Sequence, residues 1–249
     1  MKSVSGAMEH LVFFLTGCTH GLGAALARAL GARGALVFAG VYPGGPSHEE
    51  TPPASDRLLL VPIDVAQTAS VEEAARSVAA RTRHVDVVMN VAGVLGDTTA
   101  TPPGMTEEKD LHHTFDVNAV GALRVMQAFH ALLMAGSTRL TVNISSEAGS
   151  IGSCTRTSWF GYCMSKAALN MASALAHNAL RPLGGRVLVV HPGWVRTWMR
   201  GTRDARAELS AEESADAVLE QVGRALADPA AFSGAQPSFI DWTGRVLPW

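Results

Sequence analysis

The sequence predicts a single-domain, doubly wound α/β fold with a parallel sheet and helices on both faces. Short continuous apolar runs recur along the 249 residues, helix-like segments separate most of them, and a glycine-rich turn joins the first run to the first helix. Continuous rather than alternating apolar runs suit strands covered on both faces. Strands separated by helices imply right-handed crossovers in a parallel sheet.

The strand candidates are LVFFLT (11–16), ALVFAG (35–40), LLLVP (58–62), VDVVMN (85–90), LTVNIS (140–145) and RVLVV (186–190). Helices are predicted over 21–33, 68–81, 107–135 and 158–181. The segment PGGPSHEETPPASDR (43–57) stands where the second crossover helix belongs, and its Pro, Gly and Ser content predicts a helix that is short or missing. No repeat and no linker divides the chain, so residues 1–249 are expected to form one domain.

Composition narrows the function classes. Hydrophobic residues make up 47% and charged residues 17%, which excludes a disordered chain. The net charge of −2 leaves no basic footprint for nucleic acid. No apolar run approaches the ~20 residues that span a bilayer. The three cysteines, Cys18, Cys154 and Cys163, form no CxxC pair, and the nine histidines form no HExxH, so neither a disulfide scaffold nor a metal site is expected. Leu15-Thr16-Gly17-Cys18 imitates a lipoprotein cleavage box, but the apolar stretch before it is shorter than a secretory core. A cytoplasmic protein with no membrane partner is the expectation.

The turn TGCTHGLG (16–23) follows the first strand and opens the first helix. Gly17, Gly21 and Gly23 permit a tight turn and a close approach to a pyrophosphate, whose charge meets the free N–H groups of the helix N-terminus. No Lys-Ser/Thr follows the last glycine, so a dinucleotide suits the turn better than a nucleoside triphosphate. Strand two ends in Ala39-Gly40-Val41-Tyr42. A carboxylate there would bind the NAD ribose and repel a 2′-phosphate, so its absence favours NADP(H) over NAD(H). His20 is a candidate source of positive charge.

Tyr162 and Lys166 stand four apart in a strongly helical stretch, on one helix face. With two tyrosines and three lysines in the chain, chance gives this spacing in only ~2% of such sequences, so the pair is read as a constellation. A free phenol is a poor base at neutral pH. A nearby ammonium is expected to lower its pKa, so that it exchanges a proton with a hydroxyl or carbonyl oxygen.

At these residues the chain resembles the short-chain dehydrogenase/reductase family over essentially its whole length. TGCTHGLG is similar to that family's TGxxxGxG, with Thr19, His20 and Leu22 between the glycines. Asp64-Val65 is similar to its adenine-contacting pair. Asn90-Val91-Ala92-Gly93 is similar to its NNAG, with Val91 in place of the second Asn. Asn118 in FDVNAVG, Ser146 in NISSEAGS, and Tyr162 with Lys166 match the catalytic positions. Pro192, Gly193, Val195 and Thr197 in HPGWVRT match the segment that holds the nicotinamide. YCMSKAALNM, HPGWVRT and the terminal DWTGRVLPW resemble the carbonyl-reductase branch that includes Sniffer and C-factor proteins. Trp198, where that branch usually has Asp, and the 43–57 segment depart from it.

The resemblance implies a seven-stranded sheet in the order 3-2-1-4-5-6-7. It also implies that Tyr162 is the acid/base and that Lys166 lowers its pKa and binds the nicotinamide ribose. Ser146 would hold the substrate oxygen, and Asn118 a water that links Lys166 to solvent. Simpler roles stay open: Ser145 and Ser146 as strand-end caps, Asn118 at a helix kink, Asp64 as the N-cap of the next helix.

A substrate loop is expected over about 193–209. Trp159, Trp194 and Trp198 are candidate walls of an apolar pocket or else core and subunit contacts. Arg196, Arg200, Arg203 and Arg206 are either a solvated face or an attractor of anions. Helices 107–135 and 158–181 would lie side by side and, as in that family, form a homodimer or homotetramer face. The expected activity is hydride transfer between NAD(P)(H) and a small-molecule carbonyl or alcohol substrate. The alternative is a cofactor-binding signalling or sensor protein of the same fold without essential turnover.

Overall fold

The computed structural model describes residues 8–44, 50–102, 104, 107–199 and 204–249. Its strands are β1 (Val12–Leu15), β2 (Leu36–Val41), β3 (Leu58–Pro62), β4 (Val87–Asn90), β5 (Leu140–Ile144), β6 (Arg186–His191) and β7 (Ser238–Asp241). All neighbours pair in parallel, in the order β3-β2-β1-β4-β5-β6-β7. The helices are α1 (Gly21–Ala32), α2 (Thr68–Ala79), α3 (Glu108–Phe115), α4 (Gly121–Ala128), α5 (His130–Ala135), α6 (Phe160–Leu180) and α7 (Ala211–Ala227).

The continuous apolar strands are explained by two cores, one on each sheet face. Phe13 and Leu15 of β1 point into a cluster with Leu22, Leu26 and Leu30 of α1 and Val218 and Val222 of α7. Their neighbours Val12 and Phe14 point into the opposite cluster, with Val71 and Val78 of α2 and Val125 and Phe129. Every side chain of β1 is buried, and burying each contributes about 1.5–3 kcal/mol.

One predicted element differs from the expectation. The helix expected over 107–135 is not continuous. A π-helical turn, Asp116–Val120, separates α3 from α4, and α5 restarts after Phe129. The extra residue in that turn carries Asn118 to a buried position, where its side chain clamps Val94: Val94 N donates to Oδ1 and Nδ2 donates to Val94 O, both at 2.8 Å. Between β2 and β3 the described residues form no helix. Part of the 43–57 segment, residues 45–49, lies outside the described residues, as do Arg200 and Arg203 of the substrate loop.

β1 lies between β2 and β4, so successive crossovers leave it in opposite directions. The crevice beyond the carboxyl ends of β1 and β4 is therefore the switch point at which this architecture accepts ligands.

Asp86 ties the opposite ends of these strands. One carboxylate oxygen accepts from Val12 N at 2.9 Å, and the other accepts from Ser137 N at 2.8 Å and Ser137 Oγ at 2.7 Å. Burial raises the Asp86 pKa, but these bonds and the nearby His84 outweigh it and hold the carboxyl below its ordinary value. Asp86→Asn keeps one oxygen and turns an N–H₂ group against a backbone N–H. It should lower the urea-unfolding free energy by about 2–3 kcal/mol at pH 7. A depressed carboxylate stabilises above its unfolded pKa and loses that contribution as pH falls through the folded value. The gap between wild type and variant should therefore shrink below about pH 4.

Candidate active site

The glycine turn is fixed by contacts that leave no room for side chains. Thr16 Oγ1 accepts from Val91 N at 3.0 Å and Ala92 N at 3.1 Å, which pins the end of β1 to the segment after β4. Gly17 has φ +72°, and a Cβ there would stand 2.7 Å from Ala92 N. A Cβ on Gly23 would stand 2.1 Å from Gly17 O. Only glycine fits either position.

This turn opens onto a cleft of about 980 Å³ that follows the carboxyl ends of the strands. Gly17, Thr19, His20, Gly21, Leu22 and Gly23 line it, as do Asp64 and Val65 after β3 and Ala92 and Gly93 after β4. Ser146 after β5, Tyr162 and Lys166 on α6, and Pro192, Gly193, Val195 and Thr197 after β6 complete it, with Trp159 and Trp194. The glycine cradle, the backbone N–H groups at the start of α1 and the cleft's volume fit a dinucleotide. No group of His, Cys, Asp and Glu that could hold a metal occurs among the described residues.

Three predicted site residues are not in the cleft wall. Asn90 is buried at the end of β4, and its Nδ2 donates to Asn143 Oδ1 at 2.8 Å. Its work is to join β4 to β5. Asn118 lies behind the wall in the π turn, where Nδ2 also donates to Ser165 Oγ at 2.9 Å. Trp198 turns away, and its Nε1 donates to Glu50 Oε1 at 3.0 Å. Asp64 does line the cleft, but it does not cap α2. Its Oδ1 accepts from Ala66 N at 2.9 Å, while the N-cap position belongs to Gln67.

The catalytic candidates converge. Ser146 caps the short 3₁₀ turn Glu147–Gly149, where its Oγ accepts from Ala148 N at 3.1 Å, and it also hydrogen-bonds the Tyr162 phenol. Lys166, 3% exposed, donates from Nζ to Ile144 O at 2.9 Å, and its Nζ stands 5.7 Å from the centre of the Tyr162 ring. Trp159 meets Tyr162 edge-on with ring centres 6.0 Å apart. Trp159 adopts φ +69°, the left-handed region, a strain of order 1–3 kcal/mol that such sites tolerate.

The expected acidification of Tyr162 is not what this geometry gives. Burial pushes the phenol up to about 12, against a smaller downward pull from the Ser146 hydrogen bond. The ammonium is directed at Ile144 O rather than at the phenol oxygen. Burial likewise pushes Lys166 down to about 8. Sequence spacing reveals that a cation is near, but the desolvation that outweighs it comes from the surrounding packing.

Apart from Arg206, the cleft and its margin hold residues that the sequence does not single out. Glu147 and Arg156 form a two-pronged ion pair with contacts of 2.7 and 3.0 Å, and the Arg156 guanidinium lies 5.2 Å from the centre of the Trp159 ring. Arg206 lies 6.0 Å from the centre of Trp194. His191 lines the wall, and burial lowers its pKa. Glu50 reaches the glycine turn, where Gly21 N donates to its Oε2 at 2.8 Å. Nothing in the spacing of these residues marks them, because each is brought in by the fold.

A lysine whose folded pKa lies below its unfolded value of 10.5 binds fewer protons when folded, so stability should rise with pH between about 8 and 10. Compared with Lys166→Met in parallel denaturant titrations, wild type should gain about 2 kcal/mol over that interval.

The profile described as short chain dehydrogenase matches residues 11–208. The C-signal protein of Myxococcus xanthus is 36% identical over 169 residues, covering 66% of this chain and 93% of its own. The structure of NADPH-bound carbonyl reductase from chicken fatty liver superposes with a TM-score of 0.82 at 26% identity, covering 97% of this chain and 95% of that one. Carbonyl reductase Sniffer of D. melanogaster, at 21% identity and a TM-score of 0.80, covers 97% of this chain and 100% of its own and attests the shared fold. The fold, the matched profile and the C-signal relative together place this chain in the short-chain dehydrogenase family.

Proposed function

We propose that the protein is an NAD(P)(H)-dependent carbonyl reductase, with Tyr162 as the proton donor. The observation that carries this reading is the meeting of Tyr162, Ser146 and buried Lys166 in one wall of the cleft that begins at the glycine turn. NADP(H) is the proposed cofactor. β2 ends without a carboxylate, and the chicken relative was crystallised with NADPH.

A reduced nicotinamide, when bound in the cleft, would supply the hydride. Everything else falls to the chain's own groups. A phenol pushed up to about 12 is fully protonated at neutral pH, so Tyr162 holds the proton that a newly reduced carbonyl oxygen requires. Ser146, already hydrogen-bonded to that phenol, is placed to donate to the same oxygen and steady its developing charge. Lys166 keeps a positive charge within reach of the phenolate that remains. Asn118 holds the loop at Val94 and so fixes the wall opposite. Trp159, Trp194 and the two arginines lying against them form an apolar and cationic rim for the substrate.

A second reading is a signalling protein that binds cofactor without essential turnover, and the likeness to C-signal is what favours it. The presence of Asn118, Ser146, Tyr162 and Lys166 together favours turnover. Exposed Leu123, Met164, Met171 and Leu175 on α4 and α6 support self-association as part of the proposal.

The test is a panel of ketones, aldehydes and quinones with NADPH. Wild type should consume NADPH, and Tyr162→Phe should lose at least about a hundredfold in rate while its NADPH affinity stays within about twofold. NADPH binding without turnover of any carbonyl would select the signalling reading. Equal rates in the Phe variant would remove Tyr162 from the chemistry.

A further inference from the structure

We infer that Glu50 is an affinity-determining residue of the cofactor site: its carboxylate competes with the cofactor's diphosphate for the N-terminus of α1 and ties that competition to the substrate loop through Trp198. The inference rests on the reading of the cleft as a dinucleotide site.

The start of α1 needs an anion that its own sequence does not provide. The helix has no acidic residue in its first turn, and the N-cap residue His20 makes no side-chain cap. Its first N–H groups carry the positive end of the helix dipole. The anion comes from 29 residues further along the chain, where Glu50 Oε2 accepts from Gly21 N at 2.8 Å. Gly21 N is the first of the backbone groups that a diphosphate would meet at the N-terminus of a helix opened by a glycine turn. One N–H cannot serve both, and a carboxylate left in place would repel the incoming charge at short range.

Glu50 is braced in position. Its carbonyl accepts from Arg28 Nη1 at 2.6 Å, and the next residue, Thr51, donates from Oγ1 to Thr19 O at 2.6 Å, on the glycine turn itself. The second carboxylate oxygen accepts from Trp198 Nε1 at 3.0 Å. Trp198 adjoins Thr197, whose methyl group lies 3.2 Å from where a Gly21 Cβ would stand. One carboxylate therefore spans the cofactor end of the cleft and the loop expected to contact substrate. A cofactor that displaces Glu50 from Gly21 also loosens Trp198, and the return of Glu50 favours release of the spent cofactor. Observed affinity is the intrinsic affinity reduced by the fraction of molecules in which Glu50 stands aside.

The sign of the mutational effect separates a competitor from a strut. If Glu50 merely braces the turn, its removal weakens both the fold and the cofactor site. If it competes, removal tightens cofactor binding. Titrating NADPH by fluorescence into Glu50→Gln and Glu50→Ala should give Kd values lower than wild type by about tenfold. Trp198→Phe, which removes one of the carboxylate's anchors, should shift Kd in the same direction by less. Should Glu50→Ala fail to fold, Glu50→Asp, too short to hold Gly21 and Trp198 together, provides the same reading. Wild type that binds NADPH with folded Glu50 variants equal to it or weaker overturns this inference and leaves the dinucleotide reading intact. NADPH bound by neither wild type nor variants overturns both.

Discussion

An ammonium carried into a protein interior needs a fixed acceptor, and much of this site is arranged around supplying one. Lys166 finds it in the carbonyl of Ile144, the last residue of β5. The same strand end is fastened to α6 turn after turn. Ser145 Oγ donates to Asn170 Oδ1 at 2.6 Å, Asn170 Nδ2 donates to Gly149 O at 3.1 Å, and Asn143 Nδ2 donates to Ser173 Oγ at 2.8 Å. Polar groups at this depth cost free energy unless every one is paired, so the ladder specifies a single register of α6 against β5. Tyr162 and Ser146 meet as a consequence of that register. The chemistry depends on a packing arrangement that a looser helix–sheet contact would not hold.

The cofactor end obeys a different constraint, steric rather than electrostatic. β1 and β4 approach so closely beyond their ends that Gly17 and Gly23 admit no side chain, and Thr16 Oγ1 satisfies two N–H groups of the opposite segment at once. The turn thereby presents backbone instead of side chains to the cleft. An anion is the natural occupant of such a surface, and the protein itself provides one in Glu50. The end of β2 has no carboxylate, and the one that reaches the glycine turn, Glu50, comes from the segment beyond it and sits on Gly21 N.

Much of the fold was legible because burial on both sides leaves a simple trace: continuous apolar strands, helices between them, and glycines at the first turn. The positions of β1 to β6 and of α1, α2 and α6 follow from that trace to within a residue or two. β7 escaped because SFID is four residues long and alternates no differently from a loop. The break in the 107–135 helix escaped because a π turn inserts one residue without changing the composition of the face. Within the site, Tyr162 and Lys166 were legible from spacing, but Asn90 and Asn118 prove to brace the wall and not to line it. The direction of the Tyr162 shift depends on desolvation by residues distant in sequence. Glu50 arrives from a segment with no periodicity at all, so no local pattern announces it.

A phenol that burial keeps protonated is the centre of the proposed chemistry, and the chain offers a clean probe of it, since Tyr42 and Tyr162 are its only tyrosines. Labelling tyrosine at Cζ with carbon-13 gives two resonances, assigned by Tyr42→Phe, that can be followed against pH in the free protein. The Tyr162 resonance should remain that of a neutral phenol through pH 10, in keeping with a value near about 12. A Tyr162 resonance that moves to the phenolate position below about pH 9 would contradict the proton-donor role and restore the acidified tyrosine that spacing alone suggested.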